Sequence, residues 1–116
     1  MPRLLQAAAV AIALGAPAAA AEPILGVWRL SNGETVSYRA CPQGFCSKVN
    51  SGKYAGKTVG IMQGSGQRYT GSVIDPSNDK QYEGRVEIEG NQLTLTGCVA
   101  KVFCRSQTWT RTGASG

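Results

Sequence analysis

From Gln81 to Gly90 the chain alternates strictly. Tyr82, Gly84, Val86 and Ile88 fall on one face, and Glu83, Arg85, Glu87 and Glu89 on the other. Side chains alternate sides only in an extended chain, so this period of two reads as a half-buried β-strand. The same pattern recurs in Glu34 to Ala40, with Val36, Tyr38 and Ala40 expected inward, and in Arg68 to Ile74, with Tyr69, Gly71 and Val73 on one face. Leu93 and Leu95 lead another such run toward Cys98. Turn formers separate the runs: Ser31-Asn32-Gly33, Pro42-Gln43-Gly44, Gly64-Ser65-Gly66, Asp75-Pro76-Ser77-Asn78 and Glu89-Gly90-Asn91. The spacing predicts eight short strands, near 24–30, 34–40, 45–51, 57–62, 67–74, 80–89, 92–98 and 105–112, with no helix of ten or more residues among them. Short strands joined by tight turns predict an all-β domain, a small antiparallel up-and-down barrel, because closure removes exposed sheet edges. Gly71, Gly84 and Gly97 lie on the apolar face in mid-strand. Glycine there marks sharp bends or leaves a hollow; with strands this short, an interior filled or nearly filled by side chains is expected.

The first twenty-one residues have a different character. Arg3 is followed by an uncharged apolar run, Leu4 to Leu14, then by the breakers Gly15 and Pro17 and the small residues Ala19-Ala20-Ala21. That is the pattern of a cleavable export signal, with the cut expected after Ala21. The run is shorter than the roughly 20 apolar residues a spanning helix needs. Residues 22–116 are then one domain, expected outside the cytoplasm. In an oxidising compartment the four cysteines read as disulfides. Of the three pairings, Cys41–Cys46 and Cys98–Cys104 are favoured, since each closes a short hairpin-like loop. Each is expected to stabilise the fold by about 2 kcal/mol.

Several functions are disfavoured by composition. The chain has no histidine, which removes the commonest general base and metal ligand. The cysteine spacings are not those of a zinc knuckle. Gly52-Lys53-Tyr54-Ala55-Gly56-Lys57-Thr58 imitates a phosphate-binding loop, but it is one residue short and leads into a strand instead of a helix. Glu83, Glu87 and Glu89 read as a solvated strand face, and Asp75 and Asp79 bracket a turn. The expectation is a non-enzyme without a cofactor or metal. The formal net charge is +5, and no acid lies between Glu34 and Asp75, a stretch that holds Arg39, Lys48, Lys53, Lys57 and Arg68. Outside the cytoplasm such a face suits an anionic envelope surface better than nucleic acid.

Two aromatic features remain. Trp28 lies in the first strand and Arg111 in the last, and closure makes those strands neighbours; a cation–π contact there is expected to clamp the barrel. The loop Val99-Ala100-Lys101-Val102-Phe103 carries three large apolar residues between two cysteines. It is expected to fold over the barrel mouth as a plug, with exposure to a partner or lipid as the alternative.

Several segments together resemble the DUF2147 family of small exported bacterial proteins. They are Pro23-Ile24-Leu25-Gly26-Val27-Trp28, Cys41-Pro42-Gln43-Gly44-Phe45-Cys46, Gly71-Ser72-Val73-Ile74-Asp75-Pro76 with Lys80-Gln81-Tyr82, and Arg105-Ser106-Gln107-Thr108-Trp109-Thr110-Arg111. The resemblance implies a lipocalin-like barrel and supplies no catalytic residues. Many relatives carry a longer insertion where this chain has only Ser51 to Gly56. In such a barrel a small apolar or amphipathic ligand is the leading expected cargo, with Tyr38, Tyr69, Tyr82, Val86 and Trp109 lining its cavity. The alternative is an envelope module that contacts an anionic surface or partner protein through the basic face. In either case a monomer with no membrane span is expected.

Overall fold

The computed structural model describes residues 22–112. The expected export signal lies outside the described residues, as does the end of the chain from 113 to 116. Eight antiparallel strands close into a barrel in sequence order: β1 Gly26–Arg29, β2 Thr35–Cys41, β3 Gly44–Val49, β4 Thr58–Ser65, β5 Arg68–Ile74, β6 Gln81–Glu89, β7 Gln92–Val99 and β8 Phe103–Arg111. The all-β barrel expected from the alternation is the fold observed. Strand β4 continues through Gly64 and Ser65 to pair with Tyr69 and Arg68, although those residues read as a turn in isolation. Ile24 and Leu25, expected in the first strand, precede it.

Register carries the alternation into the core. Val86 pairs with Tyr69 on one side and Leu95 on the other; Leu93 pairs with Ile88 and Trp109. These residues, with Trp28, Val36, Tyr38, Val49 and Met62, form one buried cluster. The intervening residues Glu83, Arg85, Glu87 and Glu89 of β6 are exposed. A bulge at Ser47/Lys48 re-aims β3 against β4. Ala40, expected inward, is exposed, because β2 runs past the end of the core toward the Cys41–Cys46 hairpin. Both cysteine pairs are joined, Cys41–Cys46 and Cys98–Cys104, and each clips one hairpin.

The up-and-down order gives the barrel two distinct ends. At one, here the tail end, lie Glu22–Leu25, the end of β8, and the β2–β3, β4–β5 and β6–β7 turns. At the far end lie the β1–β2, β3–β4 and β5–β6 turns and the Cys98–Cys104 loop. The seam between β1 and β8 is short: among the described residues only Trp28↔Arg111 and Arg29↔Thr110 pair across it, with Thr112 N donating to Val27 O just beyond.

Candidate functional site

The residues expected to line a cavity sit in the packed interior. Tyr38, Tyr69, Val86 and Trp109 are each at most 4% exposed. Tyr82 is half-buried near the far end. The space that mid-strand glycines leave is taken by neighbouring side chains. At Gly60 a Cβ would stand 2.7 Å from both Ser47 Oγ and the Tyr38 hydroxyl. At Gly84 it would meet Val73 Cγ2, with Met62 Cε at 3.0 Å. Gly71, Gly84 and Gly97 share one register row across β5, β6 and β7, and Val73 and Met62 lie against it. Glycine there permits close packing of side chains from other strands.

Two buried tyrosines respond to this environment. Burial pushes the Tyr38 phenol up to about 12, opposed by the Ser47 hydroxyl beside it. Ser47 Oγ is itself buried without a partner in hydrogen-bonding geometry. Tyr69 is also pushed up to about 12, first by burial and then by its hydrogen bond to Glu22. Its ring meets Phe45 edge-on at 5.6 Å.

The tail end is sealed by the segment that precedes β1. Ile24 is fully buried, and its carbonyl accepts the Trp28 indole N–H at 3.0 Å. Arg111 donates to Pro23 O at 2.8 Å and Leu25 O at 3.0 Å, while its guanidinium carbon lies 4.2 Å from the Trp28 ring centre. Glu22 Oε1 accepts from the Tyr69 hydroxyl and from Gly66 N. Arg111 thus joins the two ends of the domain and also fixes the plug, a role its sequence position did not announce.

The far-end loop behaves oppositely to expectation. Val99, Val102 and Phe103 are 50, 72 and 74% exposed, so this loop does not plug the mouth. Ala100 and Lys101 both adopt positive φ in its turn. Lys101 approaches Glu83 at 3.9 Å across solvent. Tyr54 and Leu30, from loops at this end, pack on the core instead.

Concave surface appears on the outside of the barrel wall. One groove, about 490 Å³, runs over β2 and β3 and is lined in part by Ser37, Arg39, Cys41, Cys46, Lys48 and Asn50. Its two charged lining residues are both cations. Asn50 bridges Ser37 and Thr35 through its side chain, which stiffens one end of the groove. A second hollow lies beside the far-end loop, between Tyr82 and Lys101. Of the acids, Asp75 is held below its usual value by hydrogen bonds from Ser77, as in an ordinary turn. Lys57 pairs with Asp79 and with Pro76 O, which ties the loop imitating a phosphate-binding motif to the β5–β6 turn. Among the described residues no group of three or more Cys, Asp or Glu side chains is placed to hold a metal, and no helix is long and apolar enough to cross a membrane.

Neither the curated proteins nor the solved structures gave a match to this chain. A family model did, over residues 57–111, which run from just before β4 to the end of β8. The strands that build most of this filled, doubly clipped barrel therefore carry the signature of DUF2147, described as an uncharacterized protein conserved in bacteria.

Proposed function

We propose that this protein works outside the cytoplasm as a non-enzymatic interaction module, using its outer wall and not a bound cargo. The observation that carries the reading is the occupied interior. The residues best placed to line a ligand cavity pack against one another, and the segment Glu22–Leu25 seals the tail end. A carrier barrel of this strand number needs room for one small ligand, so the side-chain filling weighs against that role. The exported location rests on the N-terminal pattern and on the two disulfides, which persist in oxidising compartments.

The surface that best fits an anionic envelope partner is the groove over β2 and β3. Arg39 and Lys48 border it, both are exposed, and no acid lines it. Its acidic counterweight, Glu83, Glu87 and Glu89, lies on β6, several strands away. A positive concavity raises the local concentration of an anionic partner, and the effect fades as salt screens it. Sedimentation with vesicles of phosphatidylglycerol and phosphatidylcholine across a salt series tests this. Binding to the anionic vesicles is expected, weakening with salt and lost in Arg39→Glu/Lys48→Glu. Equal binding by that variant would overturn the assignment to this face. A small molecule that remains bound to the purified protein in native mass spectrometry would restore the carrier reading.

A further inference from the structure

The wall of this barrel has an unfinished stretch. β8 pairs with β7 along its whole length, from Val99↔Phe103 to Gln92↔Thr110. On its other side it meets β1 only at Thr110 and Arg111, because β1 ends at Arg29 and the chain turns into β2. Among the described residues, Phe103 to Thr108 therefore present a strand edge with no strand on that side, about 20 Å long at roughly 3.3 Å per residue. Every residue in that stretch is exposed. Proteins blunt such edges with proline, bulges or a covering loop; here no proline or bulge interrupts β8. Trp109 points inward and is buried, so Gln107, Arg105 and Phe103 share its face by alternation. They are nevertheless exposed, since the wall opposite them is missing.

We propose that the edge Phe103–Thr108 takes up an extended segment of a partner protein, which continues the barrel wall above the end of β1. The chemistry of the occupant follows from what borders the gap. β1, β7 and β8 contain no acidic residue, and Arg29 and Arg105 flank the opening; Lys101 at its far end is 3.9 Å from Glu83, and Glu34 of the β1–β2 turn has its carboxylate against Gly52. Phe103, Val102 and Val99 supply an apolar patch at the same place. The complementary segment is an acidic strand with period-two alternation, an aliphatic residue facing Phe103 and a carboxylate facing Arg105. Main-chain hydrogen bonds give such a strand its affinity, and the alternating side chains its specificity. A second copy of this chain fits less well, because pairing β8 with β8 brings Arg105 near its own counterpart. The proposal concerns a different part of the wall from the groove of Arg39 and Lys48 and stands independently of it.

The test is solution NMR of the disulfide-bonded protein, residues 22–116, with a short synthetic peptide alternating threonine with glutamate and valine. Backbone amides of Phe103–Thr108 are expected to shift on titration, and those pointing into the gap to exchange more slowly with solvent. A peptide N-methylated at alternate amides is expected not to bind. Arg105→Glu is expected to weaken the acidic peptide by about ten-fold and to favour a lysine-substituted one. Arg105 is exposed, so thermal unfolding of the Arg105→Glu protein should match the parent. Shifts confined to the β2–β3 face, indifference to N-methylation, or no effect of Arg105→Glu would overturn the proposal. So would a dimer in sedimentation whose β8 amides are protected without peptide.

Discussion

The two ends of this barrel received the same kind of raw material and used it oppositely. At the tail end, Ile24 sits in an irregular segment next to charged Glu22 and is fully buried. At the far end, Phe103 stands next to a disulfide-clipped loop beside charged Lys101 and is 74% exposed. Phe103 is the larger apolar side chain, so apolar area alone predicts the reverse. What differs is the partner set. Ile24 is held by groups that reach it from far along the chain: Arg111 grips the carbonyls on either side of it, and Tyr69 fixes Glu22. Phe103 has a short turn of positive-φ residues behind it, β7 on one side and, among the described residues, no strand on the other. Burial is thus decided by whether the topology delivers an enclosing wall, and β1 stops before it can enclose Phe103.

The sharpest way to break this contrast is to remove the grip. Arg111→Ala deletes two charge-assisted hydrogen bonds and the stacking on Trp28, and should cost about 3 kcal/mol in urea unfolding. A loss within experimental error would mean that the tail-end seal is passive. The alkaline limb of stability sharpens the comparison next. Tyr38 and Tyr69 are neutral in the fold up to about 12, whereas an unfolded tyrosine ionises near 10. The stabilising difference is intact below pH 10 and is lost as pH rises from about 10 toward 12, by roughly 2–3 kcal/mol for each phenol. Ultraviolet titration should show two phenols ionising late, with unfolding following them. The smallest effect belongs to the far end: Phe103→Ala should leave stability within about 0.5 kcal/mol, as for a surface site. A loss of several kcal/mol would show that the loop closes over the barrel in solution.

Much of the wall was legible because it is written locally. The alternation of β6 is complete within nine residues, while β2 and β7 keep it in part, with Ser37 and Thr96 buried next to inward residues, and in β5 only Tyr69 is fully buried. The cysteine pairing was legible too, since Cys41–Cys46 and Cys98–Cys104 each close a single hairpin. Trp28 and Arg111 were placed together by the reasoning that first and last strands meet in a closed barrel, and the structure sets them across the seam. The identity of the plug was not legible. Pro23-Ile24-Leu25 looks like the start of a strand, and nothing nearby reveals that an arginine 86 residues after Leu25 will hold it. The filling of the glycine row by Val73 and Met62 was equally hidden, because it depends on which strands face each other across the interior.

By itself, then, the sequence determined the strands, their inward faces, the two staples and the closed antiparallel order. Each of these follows from contacts between residues close along the chain or from the need to remove sheet edges. Only the tertiary structure decided that the interior is packed, that Glu22–Leu25 and not the Cys98–Cys104 loop seals an end, and that β8 keeps a bare edge. Those outcomes turn on the stagger between β1 and β8, a long-range quantity that closure of the whole barrel sets.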